Sequence, residues 1–209
     1  MSKQTPEVLL VKGRLKSAYE KLNVEQQKAV AVEYAALLDE SDLSNKMLAR
    51  HLTNAILPAV AIFRILPESG FTKTEARRMI RDSILASALP MKKMFQSMSR
   101  LPRFFSLYRV MCKASAKSAF GSNGWDMRWN VGSKTEISWD CHSCYYVNTL
   151  KKHNASELTP IFCESDDVVY GNIPGVRWGR TKTIGRGADT CDFRFYKEKK
   201  EGLKNAKGK

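Results

Sequence analysis

Apolar residues recur at helical spacing through the first 120 positions and then, from Gly124, at every second position. These are the periods of an amphipathic helix and of a half-buried strand. In the first regime, Leu9, Leu10, Leu15, Ala18, Tyr19 and Leu22 predict a helix over 6–22. Asn23 is placed to cap a second helix, to about Asp39, with Val24, Ala29, Val32, Ala35, Ala36 and Leu38 inside. Asp42 is placed to cap a third, with Leu43, Met47, Leu48, His51, Leu52, Ala55 and Ile56 as its apolar face. Pro58 should kink or restart that helix, since proline removes a donor and crowds the preceding turn. His51 and Asn54, one turn apart beside it, read as a satisfied core polar pair, or as side chains that the broken helix points into a pocket.

Gly70 is a stop, and Thr72-Lys73-Thr74-Glu75 is a capping box opening a helix through Ala76, Met79, Ile80, Ile84 and Leu85 that Pro90 should end. A basic helix to about Phe120 follows, interrupted at Pro102, with Phe95, Met98, Phe105, Tyr108 and Cys112 inward.

After Gly124, Trp125, Met127, Trp129 and Val131 alternate with polar residues, as do Thr135, Ile137 and Trp139, around Gly132-Ser133. That is a β-hairpin pattern. A helix over 140–153, a short strand at Ile161-Phe162-Cys163 and a second hairpin (176–184 with 189–196, turning at Gly185–Ala188) complete the reading. The expected fold is α+β: a helical N-terminal half packed on a small antiparallel sheet, with one helix crossing between the hairpins. With no repeat and no low-complexity linker, the chain reads as one domain over 1–209. Its parts are a helical half (1–120), a sheet-containing half with the candidate site (121–196) and a basic tail (197–209).

Composition changes this picture in two places. The longest apolar run, Ala55–Phe63, is too short to span a bilayer, and the N-terminus lacks a signal-peptide pattern. The expectation is a cytoplasmic protein with no membrane partner, whose five cysteines are thiols, a metal site or a nucleophile rather than a disulfide framework. The net charge of +14 is concentrated. The segment 91–118 carries Lys92, Lys93, Arg100, Arg103, Arg109, Lys113 and Lys117 with no acid, and the tail adds six lysines against two glutamates. Such a segment suits an anionic surface, but the absence of any nucleic-acid-binding signature argues against a nucleic-acid partner. A homo-oligomer stays open.

Chemistry-bearing residues gather between Trp139 and Phe195. Cys141-His142-Ser143-Cys144 is half a zinc site, a redox dithiol, or a pair of thiols in the first turn of a helix, where N–H groups favour thiolate. The acidic cluster Glu164, Asp166 and Asp167 follows Cys163; Asp167 is placed to accept a proton, to hold a cationic substrate or to cap a helix. On the expected strand Arg180-Thr181-Lys182-Thr183, Arg180 and Lys182 share one face and the two threonines the other, a good clamp for a carboxylate. Cys191, Phe193 and Phe195 share a face of the last strand, and Cys144, Cys163 and Cys191 are a set that could converge on a metal.

Several of these motifs occur in one order: Cys144 followed by Tyr146, Phe162-Cys163 with Asp167, Arg180-Thr181-x-Thr183, and Gly187-Ala188-x-x-Cys191-Asp192-Phe193. In that order they resemble the L-2-amino-thiazoline-4-carboxylic acid hydrolase family. Leu57-Pro58-Ala59-x-Ala61, Gly70 and Glu75-Ala76 resemble its helical half more loosely, and Glu164 stands where many relatives carry a second cysteine. The resemblance implies a hydrolase that opens the ring of a small cyclic amidine carboxylate by attack at the amidine carbon. It implies catalysis by Cys144, Asp167, Cys163 and Cys191, substrate binding by Arg180, Thr181, Thr183 and Tyr146, and no cofactor. More distantly, the Gly187–Phe193 motif resembles 4-vinyl-reductase-type ligand-sensing domains. In the enzyme reading Cys144, Cys163 and Cys191 could instead hold a zinc that activates water; the alternative is a non-catalytic ligand-binding domain whose cysteines are core residues or hold a structural zinc.

Overall fold

The computed structural model describes residues 5–120, 123–130 and 133–198. Val131 and Gly132 of the first hairpin's turn, and the basic tail beyond Glu198, lie outside them. The expected helix over 6–22 is two short ones, α1 (Pro6–Leu10) and α2 (Lys16–Tyr19), because the chain breaks at Gly13. A Cβ there would sit 2.9 Å from the carbonyl oxygen of Asn54, so only glycine allows this approach.

α3 (Val24–Asp39) starts where expected, on a full capping box between Asn23 and Gln26. Its buried face is Val30, Ala31, Tyr34 and Leu37, however, and Val24 and Val32 are exposed. Asn45, not Asp42, caps α4 (Lys46–His51), accepting from the N–H groups of Met47 and Leu48. Asp42 closes a small turn with Ser44 instead.

Pro58 does restart the helix. A π-turn over Leu52–Ile56 precedes α5 (Leu57–Glu68), whose residues from Leu57 to Phe63 are all buried. A helix apolar on every side belongs in the interior, and burying each leucine or isoleucine contributes about 1.5–3 kcal/mol. α6 (Lys73–Met98) opens on the expected Thr72–Glu75 box but runs through Pro90. α7 (Phe104–Ala119) follows, buried along Phe104, Phe105, Tyr108, Cys112 and Ala116.

The sheet is four-stranded and antiparallel, in the order β1 (Asp126–Trp129), β2 (Glu136–Ser143), β4 (Cys191–Lys197), β3 (Val176–Gly179). The α+β class and both hairpin pairings are as the sequence predicts. Between β2 and β3 run two helices, α8 (Tyr145–Lys152) and α9 (Thr159–Tyr170), instead of one helix and a strand. The run Ile161-Phe162-Cys163 is helical, entered through Pro160 in the first turn; proline's fixed φ suits that position. A three-residue apolar run is too short for its period to separate strand from helix.

Two large apolar cores result. One joins α1, α2, α3, α5 and α6 to α8 and α9; the other lies between α6, α7, α9 and the sheet, around Tyr108, Trp139 and Phe195.

Candidate active site

A third, small apolar cluster, with Trp125, Cys141 and Cys191 buried at its centre and Cys144, Tyr145, Tyr146 and Ile184 packed around it, marks the candidate site. β2 extends through Ser143, so Cys141 is a strand residue and Cys144 is the residue preceding α8, not a member of its first turn. Cys141 faces inward, gives its thiol proton to the carbonyl of Ser143 at 3.0 Å, and is pushed up to about 12 by burial. Cys144 forms no cap hydrogen bond of ordinary geometry. The backbone N–H groups of Val147 and Tyr146 and the indole of Trp125 nonetheless act on its sulfur and oppose the effect of burial, which raises its pKa.

On α9, Cys163, Asp166 and Asp167 sit at i, i+3 and i+4, and so on one helix face. Arg180 holds that face. Its Nη1 donates to Asp166 at 2.9 Å, and its Nη2 donates to Asp167 and to the Cys163 carbonyl, each at 2.7 Å. The guanidinium also lies 5.4 Å from the Trp178 ring and 5.6 Å from Phe193, and only 2% of the side chain is exposed. The expected carboxylate clamp is thus engaged by two carboxylates of the chain itself. Asp167 is further held by the Trp178 indole N–H at 3.1 Å and by Arg186.

Asp166 differs. Burial pushes its pKa up to about 6 against the pull of Arg180 and Arg14, yet 36% of its side chain remains accessible. A carboxyl crowded by protein but still open to solvent lies in a recess. Cys144 and Cys163 share this character: neither is fully buried, and burial raises both, Cys163 to about 12.

The segment after β3 is not the strand expected. Arg180–Thr183 leaves the sheet and enters a short 3₁₀ turn at Ile184–Arg186, so alternation fails: Arg180 and Thr183 point inward, Thr181 and Lys182 outward. Thr181 gives its hydroxyl and its N–H to Asp192, away from the recess. Thr183 is buried with its hydroxyl unpartnered, an orphan a bound molecule would satisfy. At the 3₁₀ turn, the Ile184 N–H points at Cys191 Sγ (3.2 Å), and a Cβ on Gly185 would lie 2.6 Å from Cys163 Sγ. The turn therefore draws Cys163 and Cys191 together, and Cys144 acts electrostatically on both. Cys191 is pushed up to about 11 by burial. Among the described residues no group of three or more His, Cys, Asp or Glu side chains could hold a metal ion, so the three sulfurs share a neighbourhood without a ligand geometry.

The helical half contributes residues that the sequence reading did not assign. Pro58 has no N–H, so the Asn54 carbonyl one turn back is released and accepts the N–H of Arg14 at 2.8 Å. Arg14 is tied further by its Nε to Ser87 Oγ at 2.9 Å, and its charge acts on Tyr146, His51 and Asp166. His51 pairs with Tyr146, not with Asn54. Its Nε2 is 2.7 Å from the Ala119 carbonyl, which can only accept, so Nε2 carries the hydrogen and Nδ1 accepts from the Tyr146 hydroxyl at 2.9 Å. Burial lowers the pKa of His51, which favours this neutral form, and raises Tyr146 to about 12.

Of the expected site residues, the fold brings together Cys144, Cys163, Asp167, Arg180, Cys191, Tyr146 and Thr183, and leaves Thr181 outside. It adds Asp166, Arg14, His51 and Trp125. Asp166 is legible in the sequence only as part of an acidic cluster; the helix puts it one turn from Cys163 on the same face. No local motif points to Arg14.

A model of the L-2-amino-thiazoline-4-carboxylic acid hydrolase family matches residues 49–195. That stretch contains the recess residues from His51 to Cys191, while Arg14 lies before it. No curated protein and no solved structure matches the chain significantly.

Proposed function

The chain belongs to the L-2-amino-thiazoline-4-carboxylic acid hydrolase family, and from that premise we propose that its recess hydrolyses a small cyclic amidine bearing a carboxylate, of the 2-amino-thiazoline-4-carboxylate type. The observation that carries this reading is the accessible Asp166, whose carboxyl is pushed up by burial and whose charge acts on Cys144. A carboxyl with a pKa of about 6 accepts a proton near neutrality and gives it back.

In the proposed reaction, ionised Asp166 takes the proton of Cys144 as the sulfur adds to the amidine carbon. The N–H groups of Tyr146 and Val147 and the indole of Trp125 stabilise the developing thiolate. The adduct collapses with cleavage of the ring C–N bond, and Asp166 returns the proton to the departing ring nitrogen. Water then adds to the same carbon and expels Cys144, leaving a carbamoyl group on the substrate sulfur; one water is consumed and both nitrogens are retained. Arg14 takes the substrate carboxylate, and the unpartnered Thr183 hydroxyl offers a further hydrogen bond. Arg180 acts at one remove, holding Asp166 and Asp167 in place.

The test is turnover of 2-amino-thiazoline-4-carboxylate by the purified chain across pH. Asp166 is protonated below its pKa and ionised above it, so kcat/KM should rise through about pH 6. Asp166→Asn should abolish that limb with at least about a hundredfold loss of rate. Tight binding without turnover would instead favour a ligand-sensing domain.

A further inference from the structure

The seven cations of 91–118 fall on the C-terminal part of α6, on α7 and on the turn between them. The inner faces of these helices, Phe95, Phe104, Phe105, Tyr108 and Cys112, are buried in the core against the sheet. Among the described residues, none of the seven cations forms an ion pair with a carboxylate.

The outer faces of these helices and their turn are also apolar. Leu89, Met91, Met94, Leu101, Leu107 and Val110 are between 42% and 67% exposed, and they are six of the eleven large hydrophobic side chains that the described residues leave exposed. The other five, such as Val24 and Trp129, are scattered along the chain. Along α7, Leu107, Val110 and Ala114 repeat at i, i+3 and i+7, with Arg109, Lys113 and Lys117 flanking them.

We propose that this surface, around the α6–α7 turn, docks on an anionic phospholipid bilayer, with α7 lying in the plane of the interface. An acid-free set of cations complements anionic headgroups, and exposed leucine, methionine and valine side chains reach the acyl boundary just below them. A nucleic-acid backbone would complement the cations but leave Leu107 and Val110 facing phosphates and water. The contact is peripheral: among the described residues no helix is long and apolar enough to cross a membrane.

The test is co-sedimentation of the full chain with vesicles of phosphatidylcholine, alone or mixed with phosphatidylglycerol. Binding to the mixed vesicles should exceed binding to phosphatidylcholine alone by about tenfold or more and should fall as salt rises. Leu107→Glu with Val110→Glu, both at exposed positions, should weaken it about tenfold or more at an unchanged melting temperature. Lys92→Ala with Lys93→Ala should weaken it about fivefold per charge. The tail's lysines remain in every variant, so the tail alone cannot mimic these results. Three outcomes would overturn the proposal: equal binding to both vesicles, no binding to either, or full binding by the Leu107/Val110 double variant. Retention of a DNA duplex without vesicle binding would overturn it in favour of a nucleic-acid surface.

Discussion

Arg180 shows how one side chain can be read correctly for type and differently for role. Its sequence setting suggests a clamp for a substrate carboxylate. In the fold its guanidinium is already shared between Asp166, Asp167 and the Cys163 carbonyl, with 2% of its surface exposed. Lysine keeps the charge but not the fork. Arg180→Lys should therefore cost about 1.5–3 kcal/mol of stability and reduce turnover on substrates with and without a carboxylate alike, measured by thermal melts and parallel assays. Selective loss on the carboxylate substrate, with the melting temperature kept, would return Arg180 to the clamp role. Asp166 makes a second prediction at this scale. Its folded pKa of about 6 lies above its ordinary value, so its contribution to stability is fully present below about pH 4 and is lost as pH rises through about 6. The melting temperature of Asp166→Asn relative to the parent should therefore increase over that window; a difference that stays flat with pH would contradict the raised pKa.

At the scale of elements, the break before α5 is what ties the helical half to the site. Pro58 frees the Asn54 carbonyl, the absence of a side chain at Gly13 lets the backbone reach it, and Arg14 is held beside Tyr146 and Asp166. Gly13→Ala places a carbon 2.9 Å from that carbonyl oxygen. It should cost about 1–3 kcal/mol and raise KM for the carboxylate substrate more than for 2-aminothiazoline, which lacks the carboxylate; an equal effect on both would separate Arg14 from substrate binding. Pro58 marked this break in the sequence, as the capping residues marked the starts of α3 and α6; Gly13 did not, because the apolar spacing over 6–22 runs through it. What the sequence left ambiguous was whatever depends on neighbours. The run Ile161–Cys163 carries no period long enough to show a helix. The loop Arg180–Thr183 leaves the sheet because Asp192 takes the N–H groups of Thr181 and Lys182, a contact between residues ten or eleven apart. Pro90 lies in a helix whose packing overrides the local stop.

On the scale of the whole molecule, the recess draws on elements from Arg14 to Cys191. The turn between α1 and α2 supplies Arg14, the helices supply His51 and the Cys163–Asp167 face, and the sheet and its loops supply Trp125, Cys144, Thr183 and Cys191. The motifs concentrated between Trp139 and Phe195 pointed from sequence to this candidate centre, but the N-terminal cation could be found only once the chain had folded back on itself. In the proposed reaction Cys144 attacks the amidine carbon with Asp166 as its base. The most direct measurement is rapid quenching of the full chain with 2-amino-thiazoline-4-carboxylate, followed by peptide mass mapping. Ring opening retains every substrate atom, so a peptide containing Cys144 should be heavier by the whole substrate mass, with no adduct and no turnover in Cys144→Ala. An adduct on Cys163 or Cys191, or undiminished turnover by Cys144→Ala, would contradict it.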